Sequence, residues 1–558
     1  MARQIPSTVS SKNLFPGLLA LAFAALFSME PVAHAQIPVP SVSGVWTGTV
    51  TYEYFDAGNS YPATFTFSPI SNDYVSLVAT WNDGIIVLTG TQAGNTLTFL
   101  EAGGILIWKF TVSGGSMTGT QAYADGTVAG SFTLTDVPYK TNGAQSPNTG
   151  QCFCGEPISV GTGNLFEQVT DYATAGPNQL DFTRSYNSNS QGGSTFAVSL
   201  GTGWRSTYDR YLRLLSSPSV MAERANGQQL NFNLSSGVWT SDSDVDLKLT
   251  QSGSTWTLTD GNDTVETYNA GTSTTEALLT SIQARNGYTQ TLQYNSSNQL
   301  VSVTDSFNRT LTFTYTGSLL HTVTTPDALV LTYGFNSSGI SPGVLDRLSS
   351  VTYSTTPQSS QSYLYENTAL PFSLTGITDE DGNRFTTWTY DQLGRGLTSQ
   401  HGGGADLTTF TYNDTDGSRT VTNALGEQEL YKFTTLQGVP KLIEIDRQAT
   451  ATTAAATETF AYDGNGYLSS QTDWNGNVTT YLNDVHGQPT TITEASGTAQ
   501  ARTTTITYHA SLHVPLQIVT PGLTTNFTYD TSGNLLTKTA TDTTNATVPY
   551  STNGVSRT

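Results

Sequence analysis

The side chains able to do chemistry are few, and their spacing limits what they can do. Among six histidines, His509 and His513 stand four apart. On a helix such a pair would ligate one metal ion, but Val514-Pro515 and the surrounding threonines specify strand and turn. The pair therefore reads as satisfied or exposed. Three acidic runs look superficially like calcium loops: Asp379-Glu380-Asp381-Gly382, Asp414-Thr415-Asp416-Gly417, and the alternating Asp242, Asp244 and Asp246. A helix–loop–helix calcium loop closes with a bidentate Glu at its twelfth position. Counting from Asp379 lands on Tyr390 and from Asp414 on Leu425, and the third run lacks both the central Gly and the closing Glu. Alternation along a strand would place its three aspartates on one solvated face. Cys152 and Cys154 are too close for easy disulfide geometry and have no third cysteine to pair with. No nearby His completes a metal site, so they read as a strained local disulfide or as two exported thiols in a linker. The chain contains no His-Glu-x-x-His and no Gly-Lys-Ser/Thr phosphate loop. No catalytic, cofactor-binding or metal-ligating residue is assigned, and the expectation is a protein that is not an enzyme.

The elements that would carry these residues are strands. Of 558 residues only 12% are charged, while 10% are aromatic and Gly numbers 52. Thr, Ser, Val and Tyr favour pleated strands, and the side chains of long helices are scarce. Recurring apolar and aromatic positions exclude intrinsic disorder. A net charge of −21 argues against nucleic-acid binding, which depends on Lys and Arg neutralising phosphates. The fold class expected is all-β.

Residues 1–35 read as a signal peptide. Arg3 and Lys12 precede the apolar run Leu14 to Phe27, and Ala33-His34-Ala35 offers small residues for cleavage before Gln36. No later run is apolar over the ~18 residues a spanning helix needs, so the mature chain is expected to be secreted or at the cell surface, without a membrane span. Residues 36–136 show eight strand-like runs separated by turn formers such as Asn82-Asp83-Gly84 and Asp125-Gly126. Leu97/Phe99 and Leu106/Trp108/Phe110 alternate as in a sheet with one buried face. An antiparallel barrel or small sandwich follows from this. Its opening Gly44-Val45-Trp46-Thr47-Gly48 resembles the start of lipocalin-like barrels, with Trp46 read as a core plug. Residues 137–154, rich in Pro, Asn, Gly and Ser, read as a linker.

Beyond the linker three ordered motifs appear: Thr162-Gly163-Asn164-Leu165, Arg184-Ser185-Tyr186-Asn187-Ser188 and Gly201-Thr202-Gly203-Trp204. They resemble the domain of unknown function that precedes RHS (YD-repeat) arrays in bacterial exported proteins, and residues 155–290 are assigned to it. From Tyr294 the sequence repeats. Tyr390-Asp391, Tyr462-Asp463 and Tyr529-Asp530 each lead to a Gly three residues after the Asp, and Thr304-Asp305, Thr378-Asp379 and Thr472-Asp473 open a second half-motif. A period of roughly 20 residues, one hairpin per unit, marks a stacked array, here residues 291–540 with a tail at 541–558. The pattern resembles the YD repeat. Within it, Asp caps backbone amides of the turn and Gly takes the positive-φ position.

The resemblance implies a β-ribbon that curves into a shell around a toxic domain. About a dozen two-stranded units at roughly 4.8 Å per strand give a ribbon of roughly 115 Å, which closes to a ring roughly 37 Å across. The chain has no Asp-Pro dipeptide, so the self-cleaving segment of such shells is not carried over. The leading expectation is an exported non-enzymatic scaffold, a truncated or partial shell of the polymorphic-toxin carrier type, with toxin cargo or a second shell chain as partner. Two alternatives stand beside it: a surface protein that binds carbohydrate or protein, and a small-molecule-binding barrel on a repeat stalk. None requires a cofactor.

Overall fold

The computed structural model describes residues 44–544 and 554–557, apart from 53–59, 72–73, 82–83, 94–95, 102–105, 114–115, 137–139, 144–151, 190–198, 216–218, 338–345, 369 and 392–393. The signal peptide lies outside them. The 44 strands are numbered here in chain order. No α-helix occurs among the described residues, and none is long and apolar enough to cross a membrane.

Eight strands, from β1 (Gly44–Tyr52) to β8 (Val128–Asp136), pair in sequence order, and β8 returns to β1 to close an up-and-down barrel. The alternation read from the sequence sets its lining. Leu97, Phe99, Trp108 and Phe110 point inward and are buried, with Phe65, Met117 and Phe132. Trp108 stacks on Phe132 with ring centroids 5.2 Å apart, and Phe65 meets Phe132 edge-on at the same distance. These rings occupy the barrel axis, so its core is packed. The side chain of Trp46 is outside the described set.

The second body is one antiparallel ribbon of 31 strands, from β14 (Tyr211–Leu214) to β44 (Ser556–Arg557). At ~4.8 Å per strand it extends about 145 Å, longer than the repeats alone suggest. The 155–290 block is not a separate layer before the array: from Tyr211 onward it is already ribbon. Beyond its pairing with β15 (Ser219–Glu223), β14 also pairs with β21 (Glu276–Gln283), curling the first strands into a ring. The tail returns as well, β44 pairing with β43 (Leu535–Asp542).

Each repeat turn is built as its side chains dictate. Asp463 Oδ1 accepts the amides of Asn465 (2.9 Å) and Tyr467 (3.0 Å), and Gly466 turns through φ 88°. Asp473, Asp530 and Asp305 repeat the arrangement, each accepting from the amides two and four residues on. Asp379 likewise caps its own turn, and Asp414 pairs with Arg395 at 2.7 Å. A further regularity escapes the sequence pattern. The ladder slips at several of the repeat tyrosines, between Thr314 and Tyr315, Thr389 and Tyr390, Ala461 and Tyr462, and Thr528 and Tyr529, but not at Tyr412. Such a bulge adds local twist and bends the strand. The tyrosine hydroxyl then donates back to a carbonyl of the preceding hairpin: Tyr315 to Leu300 (2.9 Å), Tyr412 to Gly396 (2.6 Å), Tyr462 to Leu442 (2.7 Å) and Tyr529 to Pro515 (2.8 Å). Each unit is thereby latched to the one before it.

The ribbon also meets itself. The segment 242–263 touches turns roughly twenty strands further along. Ser243 donates to the Asn465 carbonyl at 3.3 Å, Lys441 lies 3.2 Å from Asp244, and the His513 amide bonds Asp263 at 3.0 Å. The winding therefore passes one full turn, more than the single ring drawn from the repeat count.

Tyr462→Phe is expected to lower hydrogen-exchange protection in the strands flanking residue 462 about five-fold, the loss of one hydrogen bond of ~1 kcal/mol, with the barrel amides unchanged.

Candidate functional site: the plugged interior of the ribbon

The inner face of the ribbon is covered by the chain's own residues 152–189 and 199–210, which carry all three sequence motifs. Strands β11 (Phe166–Ala173), β12 (Asp181–Asn187) and β13 (Trp204–Ser206) form a small sheet of their own. Arg184 of the second motif is fully buried and grips Asp171 through two bonds, of 2.6 and 2.8 Å. Three ribbon tyrosines complete the cluster. Tyr333 and Tyr353 donate to Asp171 at 2.8 Å, and Arg184 donates to the Tyr363 hydroxyl at 2.7 Å. The guanidinium also lies 5.0 Å from the centre of the Trp204 ring. Desolvation opposes the charge on Arg184, but Asp171 and the tyrosines outweigh it and hold the group well above its ordinary pKa.

The other motif residues dock around this pair. Tyr186 donates to the Phe372 carbonyl and accepts the Leu374 amide, both at 2.9 Å. Trp204 donates to Tyr365 at 2.9 Å. Gly203 has φ 82°, and a Cβ there would stand 2.6 Å from the Tyr186 ring, so only glycine lets the two motifs meet. Asn164 donates to Asn187 at 2.9 Å, joining the first motif to the second.

The preceding segment is part of the same plug. Lys140 is buried, bonding Asp242 and the Gln437 carbonyl at 2.7 Å each. Cys152 and Cys154 are free thiols packed against the ribbon core, Cys154 3.6 Å from the Tyr431 hydroxyl. Burial pushes both thiols up, Cys152 the further. The described parts of 137–154 are thus held by the ribbon and do not act as a free tether, because the polar residues that suggest a linker instead meet buried ribbon carbonyls and carboxylates.

Between β11–β12 and the ring lies an open cavity of about 590 Å³. Gln168, Thr170, Thr183, Ser185, Asn226 and Gln228 contribute neutral polar groups to its wall. Its basic residues Lys140, Arg210 and Arg224 are each paired with a carboxylate. Arg224 and Arg210 both hold Glu266, and although burial alone would raise that carboxyl, the two guanidiniums keep it well below the usual carboxylate range. Asp181 accepts from Thr183 and Thr207, both at 3.0 Å.

The Asp242 series does not form one solvated face. Residues 242–246 are a turn and connector preceding β18 (Leu247–Ser252), and Asp244 is buried between Lys140 and Lys441 while Asp242 stays half-exposed. His509 and His513 lie in a connection between strands, as their neighbours indicate. His509 accepts the Ser511 amide at 3.2 Å, whereas His513 bonds Asp263 at 2.7 Å. The structure adds His486, 2.8 Å from Asp246 and 3.4 Å from His513. The sequence holds one clue to it: His486 fills the turn slot before Gly that Asn465 and Asn475 fill in neighbouring units.

With this geometry in hand, comparisons with known proteins can be placed. Residues 155–232 match the family model of a domain of unknown function, DUF6531. That block contains the three motifs and strands β11 to β13, and supports their reading as a domain of unknown function over 155–232, short of the 155–290 expected. No curated protein sequence matches the chain. Among solved structures, the chain is similar to the TcdB2-TccC3 crystal structure, with 11% identity and a TM-score of 0.32 over 89% of this chain and 27% of that one. A Photorhabdus luminescens Tc holotoxin pore with a substitution in TccC3 gives 12% identity and 0.32, over 89% of this chain and 29% of that one. A porin-like protein from Bacteroides uniformis gives 11% and 0.16, over 49% and 92%. The chain spans less than a third of the length of the Tc toxin chains it matches.

Two outcomes follow from the plug. Arg184→Met leaves Asp171 buried and unpaired, and is expected to cost about 3–5 kcal/mol in denaturant unfolding. Glu167 on β11 has its carboxyl raised from 4.5 to about 7 by burial, with Glu156 adding and Arg184 opposing. The folded chain therefore keeps a proton there that the unfolded chain releases above pH ~4.5, so stability falls as pH rises from there to ~7 and then levels. Glu167→Gln is expected to match the parent chain near pH ~4 and exceed it by ~1–2 kcal/mol near pH ~8, read as the difference between urea midpoints.

Proposed function

We propose that the chain is an exported, non-enzymatic scaffold of the RHS/YD-repeat type, a partial β-shell in which the 155–232 domain seats the ribbon's inner face. The observation that carries this is the 31-stranded ribbon that coils past one turn around a plug matching DUF6531, with one turn motif recurring along it. A cavity of about 590 Å³ suits a short peptide or sugar. A folded toxin domain of ~100 residues occupies on the order of 10⁴ Å³, so cargo would be enclosed only with additional shell. Partner and cargo are therefore assigned to a second shell chain or a toxin domain.

A second reading, a carbohydrate- or protein-binding surface protein, is favoured by the hydroxyl and amide lining of that cavity. Trp204, Trp256 and Trp388 are buried, so a sugar would be held there by hydrogen bonding rather than by stacking on these rings.

Cryo-electron microscopy of the secreted chain should resolve a coiled β-ribbon beside a small barrel, and a globule without one would overturn the scaffold. Intact mass should correspond to a chain beginning at Gln36 if export proceeds as proposed. Glycan-array binding abolished by Thr170→Trp, which fills the cavity, would move the assignment to the second reading.

A further inference from the structure

Three side chains far apart in sequence converge where the ribbon meets its own earlier turn. Asp246 precedes β18, His486 sits in the turn between β38 (Val478–Asn483) and β39 (Pro489–Glu494), and His513 ends the connection between β40 (Arg502–Tyr508) and β41 (Pro515–Thr520). Each offers one ligand atom, and the three atoms lie within 4.8 Å of one another. His486 Nδ1 is 2.8 Å from Asp246 Oδ1, and His513 Nε2 is 3.4 Å from His486 Nδ1 and 3.6 Å from Asp246 Oδ2. The imidazole rings stand perpendicular, at 89°.

The protonation pattern makes this a place for a cation. Asp263 accepts both the His513 amide, at 3.0 Å, and its Nδ1 proton, at 2.7 Å. That contact assigns the ring proton to Nδ1 and leaves Nε2 as a lone pair, the arrangement in which a carboxylate orients a metal-binding histidine. Asp263 is itself held by Arg285 at 2.9 Å. His486 Nδ1 donates to Asp246 Oδ1 at 2.8 Å, so a metal ion that displaces this one proton meets two imidazole nitrogens and a carboxylate facing one point. A four-coordinate ion with bonds of ~2.0–2.1 Å sets its ligand atoms ~3.3–3.4 Å apart. The two histidine nitrogens already stand 3.4 Å apart, and Asp246 meets His486 through Oδ1 and His513 through Oδ2.

We propose that Asp246, His486 and His513 bind a divalent transition-metal ion of the zinc class, with Asp263 as the positioning residue behind His513. Two imidazoles and one carboxylate select such an ion over calcium or magnesium, which take all-oxygen sites. His486 is half-exposed, so the fourth position faces solvent and takes water. The ion joins residue 246 to residues 486 and 513, clamping one turn of the ribbon to the next. It therefore stabilises the coil, and the effect grows with free metal concentration.

The test uses the full secreted chain after dialysis against a chelator, titrated with Co²⁺ as a spectroscopic probe and with Zn²⁺ as competitor. One equivalent of Co²⁺ is expected to give the visible bands of a four-coordinate ion, displaced by Zn²⁺, and saturating Zn²⁺ should raise the melting temperature. His486→Ala, on an exposed turn, should keep its circular dichroism and lose both responses. Asp263→Asn should weaken binding about 10- to 100-fold, and His509→Ala should leave it unchanged. Absence of the bands in the parent chain overturns the proposal, and so does their retention in His486→Ala.

Discussion

The coiled ribbon depends on one buried ion pair. Arg184 and Asp171 belong to the plug, yet the groups that add to their hydrogen bonding, Tyr333, Tyr353 and Tyr363, belong to the ribbon. Burying two charges costs several kcal/mol each, and the cost is offset only where geometry and extra hydrogen bonds are both good. Here the bidentate contact and three hydroxyls meet that condition only when plug and ribbon are together. The pair therefore works less as a source of stability than as a fit requirement: a ribbon with another curvature would leave a charge without its partners. The same logic extends outward through Tyr186, Trp204 and Gly203, so the motifs mark points where plug and ribbon touch.

Along the ribbon a different constraint operates. A two-stranded hairpin has too little core to stand alone, and its neighbours must supply the rest. The bulges at Tyr315, Tyr390, Tyr462 and Tyr529, and the tyrosine hydroxyl bonds back to the previous unit, fix both the spacing and the bend. Neutral hydroxyls from Thr and Ser pair across the outer face, as at Thr389 and Thr398, 2.6 Å apart, and Thr528 and Thr537, also 2.6 Å apart. This is where the low charge of the chain comes from. The acidic excess sits largely in the turns, where Asp463, Asp473 and Asp530 cap amides.

What the sequence made readable was local. Asp and Gly a fixed distance apart specify a turn regardless of what lies across the molecule, and Leu97/Phe99 specify an inward face in the same way. The all-β class, the eight-stranded barrel and the repeat turns follow from such short-range rules. Partners separated by long stretches of chain left no comparable mark. Arg184 lies 179 residues from Tyr363 and His486 lies 240 from Asp246, and nothing in either neighbourhood names the other. Asp242, Asp244 and Asp246 show the cost of reading locally: their alternation suggests a solvated face, but Lys140 and Lys441 draw Asp244 inside. The plug was partly readable because its motifs are compact, whereas the point at which plug becomes ribbon, near Tyr211, depends on a pairing with Leu278 that no short pattern encodes.

The contacts between successive turns change the kind of object this is. A simple array is a line: each hairpin knows only the units before and after it, and damage or pulling frees them one at a time. Where Asp244, Asp246 and Asp263 reach Lys441, His486 and His513, each unit gains a neighbour across as well as along. The line becomes a patch of cylinder wall, and peeling one hairpin there means breaking the stitch to the row beside it. Such a wall should yield to force in blocks, tearing first where rows are unstitched.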